Sequence, residues 1–420
     1  MEVLIHDLGM SGDGIGRMPD GRVVFVQDAL PGDVVQIELT QSRKRVQHAR
    51  VSSLVQPSPH RTSSLCQVDE CGGCALKSFD VGGQNQLKRN RVAENLRRIG
   101  KLPQSEAPAI EQIEDAWRYR HRVRLHAAWS GQSWRVGFHE RRSNELAPFQ
   151  SCPVLWPELD KVVTHVARGI HELPESVGLK EVEIVYSRID CRAAAKITLA
   201  GEIGPFTDDL KWFDVSKLSG VIVQAPNTRW SYGNVELHYD HASSDEFALV
   251  FEPGTFTQAH PAINDLLVQS VFQAVEPWTS PNVLELHAGI GNLTIPLARG
   301  QANVTAYEAN PRAAQLCERN AEAAGVAVSV HAAEDREALA NLDDYDVLLL
   351  DPPRAGAAAV AQAAASHGPK RIVYVSCDSA TLARDVATLQ SGGYVVTNLR
   401  AFDMFPQTPH AETLVILERE

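Results

Sequence analysis

Beyond residue 250, short apolar runs alternate with longer segments in which apolar residues recur every three or four positions. The runs at 282–286, 304–308, 328–331, 347–350 and 371–375 are rich in Val, Leu and Ile, as strands buried on both faces would be. Segments 261–275, 311–324 and 381–390 carry helical periodicity, and Pro261 and Pro311 stand where a first helical turn tolerates proline. This alternation predicts a doubly wound, mostly parallel, Rossmann-like α/β sheet. A last apolar run at 413–417 adds a strand. Ligands of such sheets bind beyond the carboxyl ends of the strands.

The first 55 residues follow another rhythm. Strand-like stretches at 3–8, 22–26, 33–39 and 46–54 are punctuated by glycines, which suits a small closed β-barrel of the oligonucleotide-binding type. Pro57 and Pro59 mark a linker. The chain therefore divides into a barrel at 1–56, an α+β central domain at 57–249 and an α/β domain at 250–420. The central part mixes a basic helix with strand-like segments at 117–129 and 182–185. No apolar run approaches the length of a membrane span, and the N-terminus lacks the basic and apolar regions of a secretory signal. A cytoplasmic monomer without membrane contact is expected.

The net charge of −12 is uneven: residues 1–150 carry 21 Lys+Arg against 17 Asp+Glu, and the remainder 19 against 35. Basic runs at 43–50, 88–98 and 118–124 predict attraction for nucleic-acid phosphates. Seven cysteines, at 66, 71, 74, 152, 191, 317 and 377, argue against a disulfide framework and for metal binding or catalysis.

Chemistry-bearing residues gather at the expected strand ends. The first strand leads into Glu285-Leu286-His287-Ala288-Gly289-Ile290-Gly291-Asn292, a glycine turn that lets backbone approach a ligand. Glu308 ends the second strand, where a carboxylate can accept hydrogen bonds from a ribose. Together they point to an adenosine-containing cofactor; Thr294 replaces the third glycine of a dinucleotide fingerprint, which disfavours a nicotinamide oxidoreductase. The fourth strand ends in Asp351-Pro352-Pro353-Arg354, two charges held by rigid backbone. Cys377 lies between the fifth strand and a helix start, with Asp378 or Ser379 as cap, so the helix dipole is expected to lower its thiol pKa. Glu412, at the mouth of the last strand, is a candidate general base.

With these residues in order, the chain resembles the RNA 5-methyluridine methyltransferases, in particular the bacterial branch acting on 23S ribosomal RNA. The resemblance spans nearly the whole chain. Its N-terminal part is similar to the TRAM RNA-binding barrel, and the matching blocks include Cys71-Gly72-Gly73-Cys74, Cys152-Pro153-Val154-Leu155, Phe256-Thr257-Gln258, Asp351-Pro352-Pro353-Arg354, Ser376-Cys377 and Asp403-Met404-Phe405-Pro406 with His410 and Glu412. The resemblance implies uridine C5 methylation from S-adenosyl-L-methionine, with Cys377 as nucleophile and Glu412 as base. It places Gln258, His287, Asn292, Glu308, Asp335 and Asp351 around the donor. It further implies a [4Fe–4S] cluster on Cys66, Cys71, Cys74 and Cys152, for which four-cysteine zinc is the alternative. Four residues separate Cys66 from Cys71 where the family usually has five, and His260, His287 and Asp335 replace customary Asn, aromatic and Asn residues. Cys191 and Cys317 are expected in the core. The competing functions are a transfer-RNA uridine methyltransferase and a non-catalytic iron–sulfur factor for ribosome assembly.

Overall fold

The computed structural model describes residues 1–42, 46–103, 106–113, 115–173, 175–201, 217–239, 248–275 and 279–419. The first three residues of the basic run 43–50 lie outside them.

Strands β1 (Glu2–Leu8), β2 (Gly14–Arg17), β3 (Val23–Gln27), β4 (Val34–Ser42) and β5 (Val46–Gln56) close a barrel in the order β1-β2-β3-β5-β4. Inward residues Val3, Ile5, Val24, Val26 and Val35 fill it. Strand β2 was not legible in the pattern because half of it is glycine. Gly16 is needed there: a β-carbon would collide with the Val3 side chain.

Helix α1 (Val81–Arg98) and the short β6 (Ile110–Glu111) precede the second sheet in sequence but pack elsewhere. That sheet contains β7 (Arg122–Trp129), β8 (Trp134–His139), β9 (Leu146–Pro148), β10 (Leu179–Ser187), β11 (Arg192–Leu199), β12 (Leu218–Gln224) and β13 (Arg229–Gly233), in the order β13-β12-β11-β10-β7-β8-β9. Helix α2 (Pro157–His171), inserted between β9 and β10, covers it with Leu159, Val163, Val166 and Ile170. The expected strand at 117–129 begins only at Arg122. Arg118 has φ 53°, the backbone of Arg118 and Arg120 bonds residues 153–156 instead of a strand, and Tyr119 donates its hydroxyl to Pro406 O of the third body. Strands β14 (Leu237–Tyr239) and β15 (Leu249–Phe251) pair with each other.

The third body follows the expected alternation. Helix α3 (Pro261–Val275) leads to β16 (Asn282–Leu286), α4 (Thr294–Arg299), β17 (Asn303–Tyr307), α5 (Pro311–Ala323), β18 (Val328–His331), β19 (Val347–Leu350), α6 (Ala358–His367), β20 (Arg371–Ser376), α7 (Ser379–Ser391), β21 (Val395–Phe402) and β22 (Glu412–Glu418). Among the described residues the sheet order is β18-β17-β16-β19-β20-β22-β21-β6. Strands β16 to β20 run parallel, and β22 runs antiparallel between β20 and β21. Strand β6 extends the edge by pairing with Ala401 and Phe402. Helix α1 packs on α7, with Val92 and Leu96 buried among Leu382, Val386 and Leu389. Helix α1 and strand β6 thus complete the third body although other folds follow them in sequence.

The basic runs are less free than their sequence suggests. Arg122 and Arg124 pair with Glu183, and His121 is buried with its Nε2 2.9 Å from Thr257 Oγ1. On α1, Lys88 points inward and is 1% exposed. Among the described residues no helix is long and apolar enough to cross a membrane.

Candidate active site and cysteine centre

Order reverses at β16, whose neighbours β17 and β19 lead to opposite sides of the sheet, and such a switch point opens a crevice at the strand ends. Gln258, Glu285, His287, Gly289, Asn292 and Asp351 line it. His287 (φ 66°) and Gly289 (φ 61°) put the turn in left-handed backbone, and nothing lies within 4 Å of where a Gly289 β-carbon would be. Glu308 accepts from Gly289 N at 2.9 Å through one oxygen and from Asn310 N at 2.7 Å through the other, bracing the turn against β17. Gln258 Nε2 donates to Asp351 Oδ2 at 3.1 Å. Asn292 exchanges amide hydrogen bonds with Asn264 of α3 at 2.8 and 2.9 Å. His287 Nε2 lies 3.8 Å from Asp335 Oδ2 and has no hydrogen-bond partner. Of the six residues expected around the donor, Gln258, His287, Asn292 and Asp351 line this crevice, Glu308 braces its turn, and Asp335 stands outside the lining, 3.8 Å from His287.

Glu285 is the residue there that the sequence reading left without a role. It is 2% exposed, its Oε2 has no partner, and burial, with the charges of Asp351 and Glu308, pushes its pKa up to about 8. Orphaned polar atoms on Glu285 and His287, beside open space at Gly289, fit a bound polar molecule such as the adenosine-bearing donor.

Next to this crevice the antiparallel course of β22 decides what meets what. Ser376 pairs with Thr413, so Cys377, just past the end of β20, and Glu412, at the start of β22, come to the same edge. Asp378 caps α7, accepting from Ala380 N and Thr381 N at 3.0 Å each. Burial pushes the Cys377 thiol up to about 12, Glu412 and Asp351 add to the rise, and Arg354 opposes it. The lowered thiol pKa expected from the helix dipole is thus overturned: desolvation and two carboxylates outweigh the helix start. Burial also pushes the Asp351 carboxyl up to about 7. Glu412 rises well above the usual carboxylate range, through burial first and Asp351 second, and its Oε1 has no partner. A thiol, two protonatable carboxyls and an arginine thus act on one another beside this crevice.

The four remaining candidates also converge. Cys66, Cys71, Cys74 and Cys152 line one cavity of about 80 Å³. Burial pushes up the thiols of Cys71, Cys74 and Cys152, and the other cysteines add to each rise. Among the described residues, no three His, Cys, Asp or Glu side chains form a set that could hold one metal ion. Cys317 is buried as expected, but Cys191 is exposed in the turn between β10 and β11 at φ 52°. The core role expected of Cys191 fails because a two-stranded turn offers it no second layer.

Comparison with known proteins fits this geometry. Residues 241–420 match the tRNA (Uracil-5-)-methyltransferase family model and residues 1–51 the TRAM domain model. The 23S rRNA (uracil(1939)-C(5))-methyltransferase RlmD of Halomonas elongata is 32% identical over 99% of this chain and 89% of its own length. The chain belongs to the RNA uracil-C5 methyltransferases. RlmD of Nitrosospira multiformis is 30% identical, covering 99% of this chain and 98% of its own. In fold, this uracil-C5 methyltransferase is similar to the tRNA (uracil-54, C5)-methyltransferase of Pyrococcus abyssi, with a TM-score of 0.78, 23% identity and 99% of each chain covered. Its family is S-adenosylmethionine-dependent, and the doubly wound domain is the expected class.

Sequence reasoning also missed Gln84 and Lys88. Gln84 Nε2 donates to Gln407 Oε1 at 3.1 Å and Gln84 Oε1 accepts from Gln407 N at 2.8 Å. Lys88 pairs with Asp403 and donates to Phe405 O at 3.1 Å. The two stand one helical turn apart on α1 with Val92 and Leu96 continuing the same buried face, so polar residues at core positions of a helix were the available signal.

Proposed function

We propose that this protein methylates carbon 5 of a uridine in 23S ribosomal RNA, with S-adenosyl-L-methionine as donor. The observation that carries the reading is the meeting of Cys377 and Glu412 at one sheet edge beside the crevice of Gln258, His287, Asn292 and Asp351. The choice of ribosomal RNA is supported by the names of relatives that align over nearly the whole chain.

Carbon 5 of uracil is too weak a nucleophile to take a methyl group unaided. The Cys377 thiolate adds to carbon 6, forming the S–C6 bond and moving the C5=C6 electron pair towards O4 as an enolate. The bound donor supplies an electrophilic methyl group. Carbon 5 attacks that methyl, and S-adenosylhomocysteine leaves. Glu412 then takes the C5 proton, the C5=C6 bond re-forms, and the thiolate departs. Arg354 offsets the negative charge that Glu412 and Asp351 place near the sulfur, easing its ionisation. Gln258 fixes Asp351, Glu308 fixes the glycine turn, and Asp335 faces His287. The target base must leave its stack to enter, at a cost of a few kcal/mol that contacts elsewhere on the RNA offset.

Cys66, Cys71, Cys74 and Cys152 would hold a [4Fe–4S] cluster. Four thiols facing one cavity supply the cysteine donors that a [4Fe–4S] core takes. The reaction needs no electron transfer, so these cysteines serve structure or RNA placement.

Tritium release tests the reaction. RNA from cells lacking the gene, labelled with [5-³H]uridine, is expected to release tritium to water with enzyme and donor. 5-Fluorouridine RNA is expected to stay covalently attached to the wild type but not to Cys377→Ala. No release from any cellular RNA overturns the reaction, and an adduct on Cys377→Ala overturns the nucleophile.

A further inference from the structure

A groove of about 820 Å³ runs between the barrel, α1 and the loop before β22, and it reaches Cys377. Three carboxylate residues line it, and each is already engaged. Asp378 caps α7, Glu94 pairs with Arg97 and Arg98, and Asp7 accepts from Leu8 N at 2.7 Å. Among the lysines and arginines of the lining, Lys88 is held by Asp403 and Arg98 by Glu94. Arg91 differs. Its guanidinium donates to Pro409 O at 3.1 Å and to Leu8 O, with Met10 Sδ also 3.1 Å away, and among the described residues it makes no ion pair with a carboxylate.

A half-buried guanidinium matched to neutral carbonyls forgoes solvation without gaining a counter-charge. Burial lowers its affinity for its proton, and only the more distant Asp7 charge opposes that. Guanidinium has five N–H donors in a planar fork, more than the two carbonyls and the Met10 sulfur use, and that fork matches phosphate oxygens. Its position is as informative as its charge. Leu8 O belongs to the barrel's first strand, and Pro409 O lies three residues before Glu412, beside the half-buried His410.

We propose that Arg91 binds a backbone phosphate next to the uridine presented to Cys377, joining the barrel and the catalytic loop around the RNA strand. This rests on the uridine-methylating reading above, which it deepens by naming where the strand's charge is held. A chain with a net charge of −12 repels RNA at long range, so an unpaired cation set into the groove can place the strand more specifically than a diffuse basic surface.

The test is a phosphate scan on the full-length protein. The probes are synthetic 23S ribosomal RNA hairpins carrying uridine 1939, the position in the relatives' name, each with one phosphate replaced by a neutral methylphosphonate. For the wild type, one replacement close to the uridine is expected to weaken binding roughly tenfold, the size of a hydrogen bond to a charged group. Arg91→Gln, which retains amide donors for the carbonyls, is expected to bind the unmodified hairpin roughly tenfold more weakly and to ignore that replacement alone. Its slope of log K against log salt is expected to be shallower by about 0.7–0.9. Arg91→Lys is expected to keep the slope and part of the affinity. If Arg91→Gln weakens every hairpin equally, with the sensitive phosphate still sensitive, Arg91 is structural and the proposal falls. A fall of the uridine reading looks different: tritium release fails in the wild type, whereas the phosphate scan reads binding and still reports on Arg91.

Discussion

Lys88 of α1 and Asp403 of the loop before β22, 315 residues apart, form an ion pair with side chains 0% and 3% exposed. The same ammonium donates to Phe405 O, and Gln84 one turn earlier bonds Gln407. A helix outside the expected α/β domain thus holds the loop that delivers Glu412. Removing one partner leaves the other charged and dry. Lys88→Met is therefore expected to cost about 3–5 kcal/mol, and the double variant Lys88→Met/Asp403→Leu to recover most of it. Urea unfolding of the four proteins of this cycle measures it. A loss in the single variant under 1 kcal/mol would show that the pair is solvated in solution.

Because burial and the carboxylates push the Cys377 thiol up to about 12, the proposed nucleophile is expected to be sluggish in the free protein. At pH 8 iodoacetamide should alkylate exposed Cys191 faster than Cys377 by roughly 10²–10³-fold, since only the thiolate reacts. Glu412→Gln removes the largest charge contribution to that rise and is expected to speed alkylation of Cys377 several-fold. Peptide mass spectrometry over a time course reads both rates. Equal rates at the two cysteines in the wild type would mean that the thiol is already ionised without substrate.

Stability should carry the mark of the carboxyl groups. Asp351 titrates near 7 and Glu285 near 8 in the folded chain, against about 4 when unfolded. Below about pH 4 both states hold these protons and neither group distinguishes them. As pH rises towards 7 to 8, the unfolded chain sheds protons that the native state keeps, so the stabilising contribution is progressively lost. Buried His121 and His260 and half-buried His410, pushed down to about 3, 4 and 4, act in the opposite sense below about pH 6.5. The readable quantity is therefore a difference. The melting temperature of Asp351→Asn minus that of the wild type is expected to grow by a few degrees from pH 4.5 to 7 and then to level off. A difference that shrinks over that range would place Asp351 in its ordinary ionised state.

What the sequence could and could not disclose follows from which interactions are local. Strands 282–286 and 347–350 were legible to the residue because nearly continuous buried apolar runs have no rival reading between helices, and the half-exposed edge strand 328–331 was legible from its alternating valines. Cys377 was legible as a strand-end residue for the same reason. The direction of β22 was not: an apolar strand reads alike in both directions, yet only the antiparallel course brings Glu412 to Cys377. Nor could residue type reveal that Arg122 and Arg124 are spent on Glu183, which lies on a neighbouring strand. The thiol pKa failed because helix dipoles are local whereas desolvation is set by the whole packed site.

The cysteine cavity makes a prediction that separates its two candidate occupants. Burial, and then the neighbouring cysteines, push up the thiols of Cys71, Cys74 and Cys152, which makes them unfavourable as free thiolates, and a cationic core would reverse that penalty. Protein purified without oxygen is expected to contain about four iron and four sulfide per chain and to be brown. Cys74→Ser and Cys152→Ser should lose most of both. Since Leu76 N donates to Gln407 O at 2.9 Å, only two residues from Cys74, metal loss should also reach the catalytic loop. Hydrogen exchange at residues 403–410 is expected to quicken on chelation, with the barrel strands unchanged. Zinc without sulfide in the purified protein would overturn the cluster. Unchanged exchange in the loop would confine the cavity's influence to its own walls.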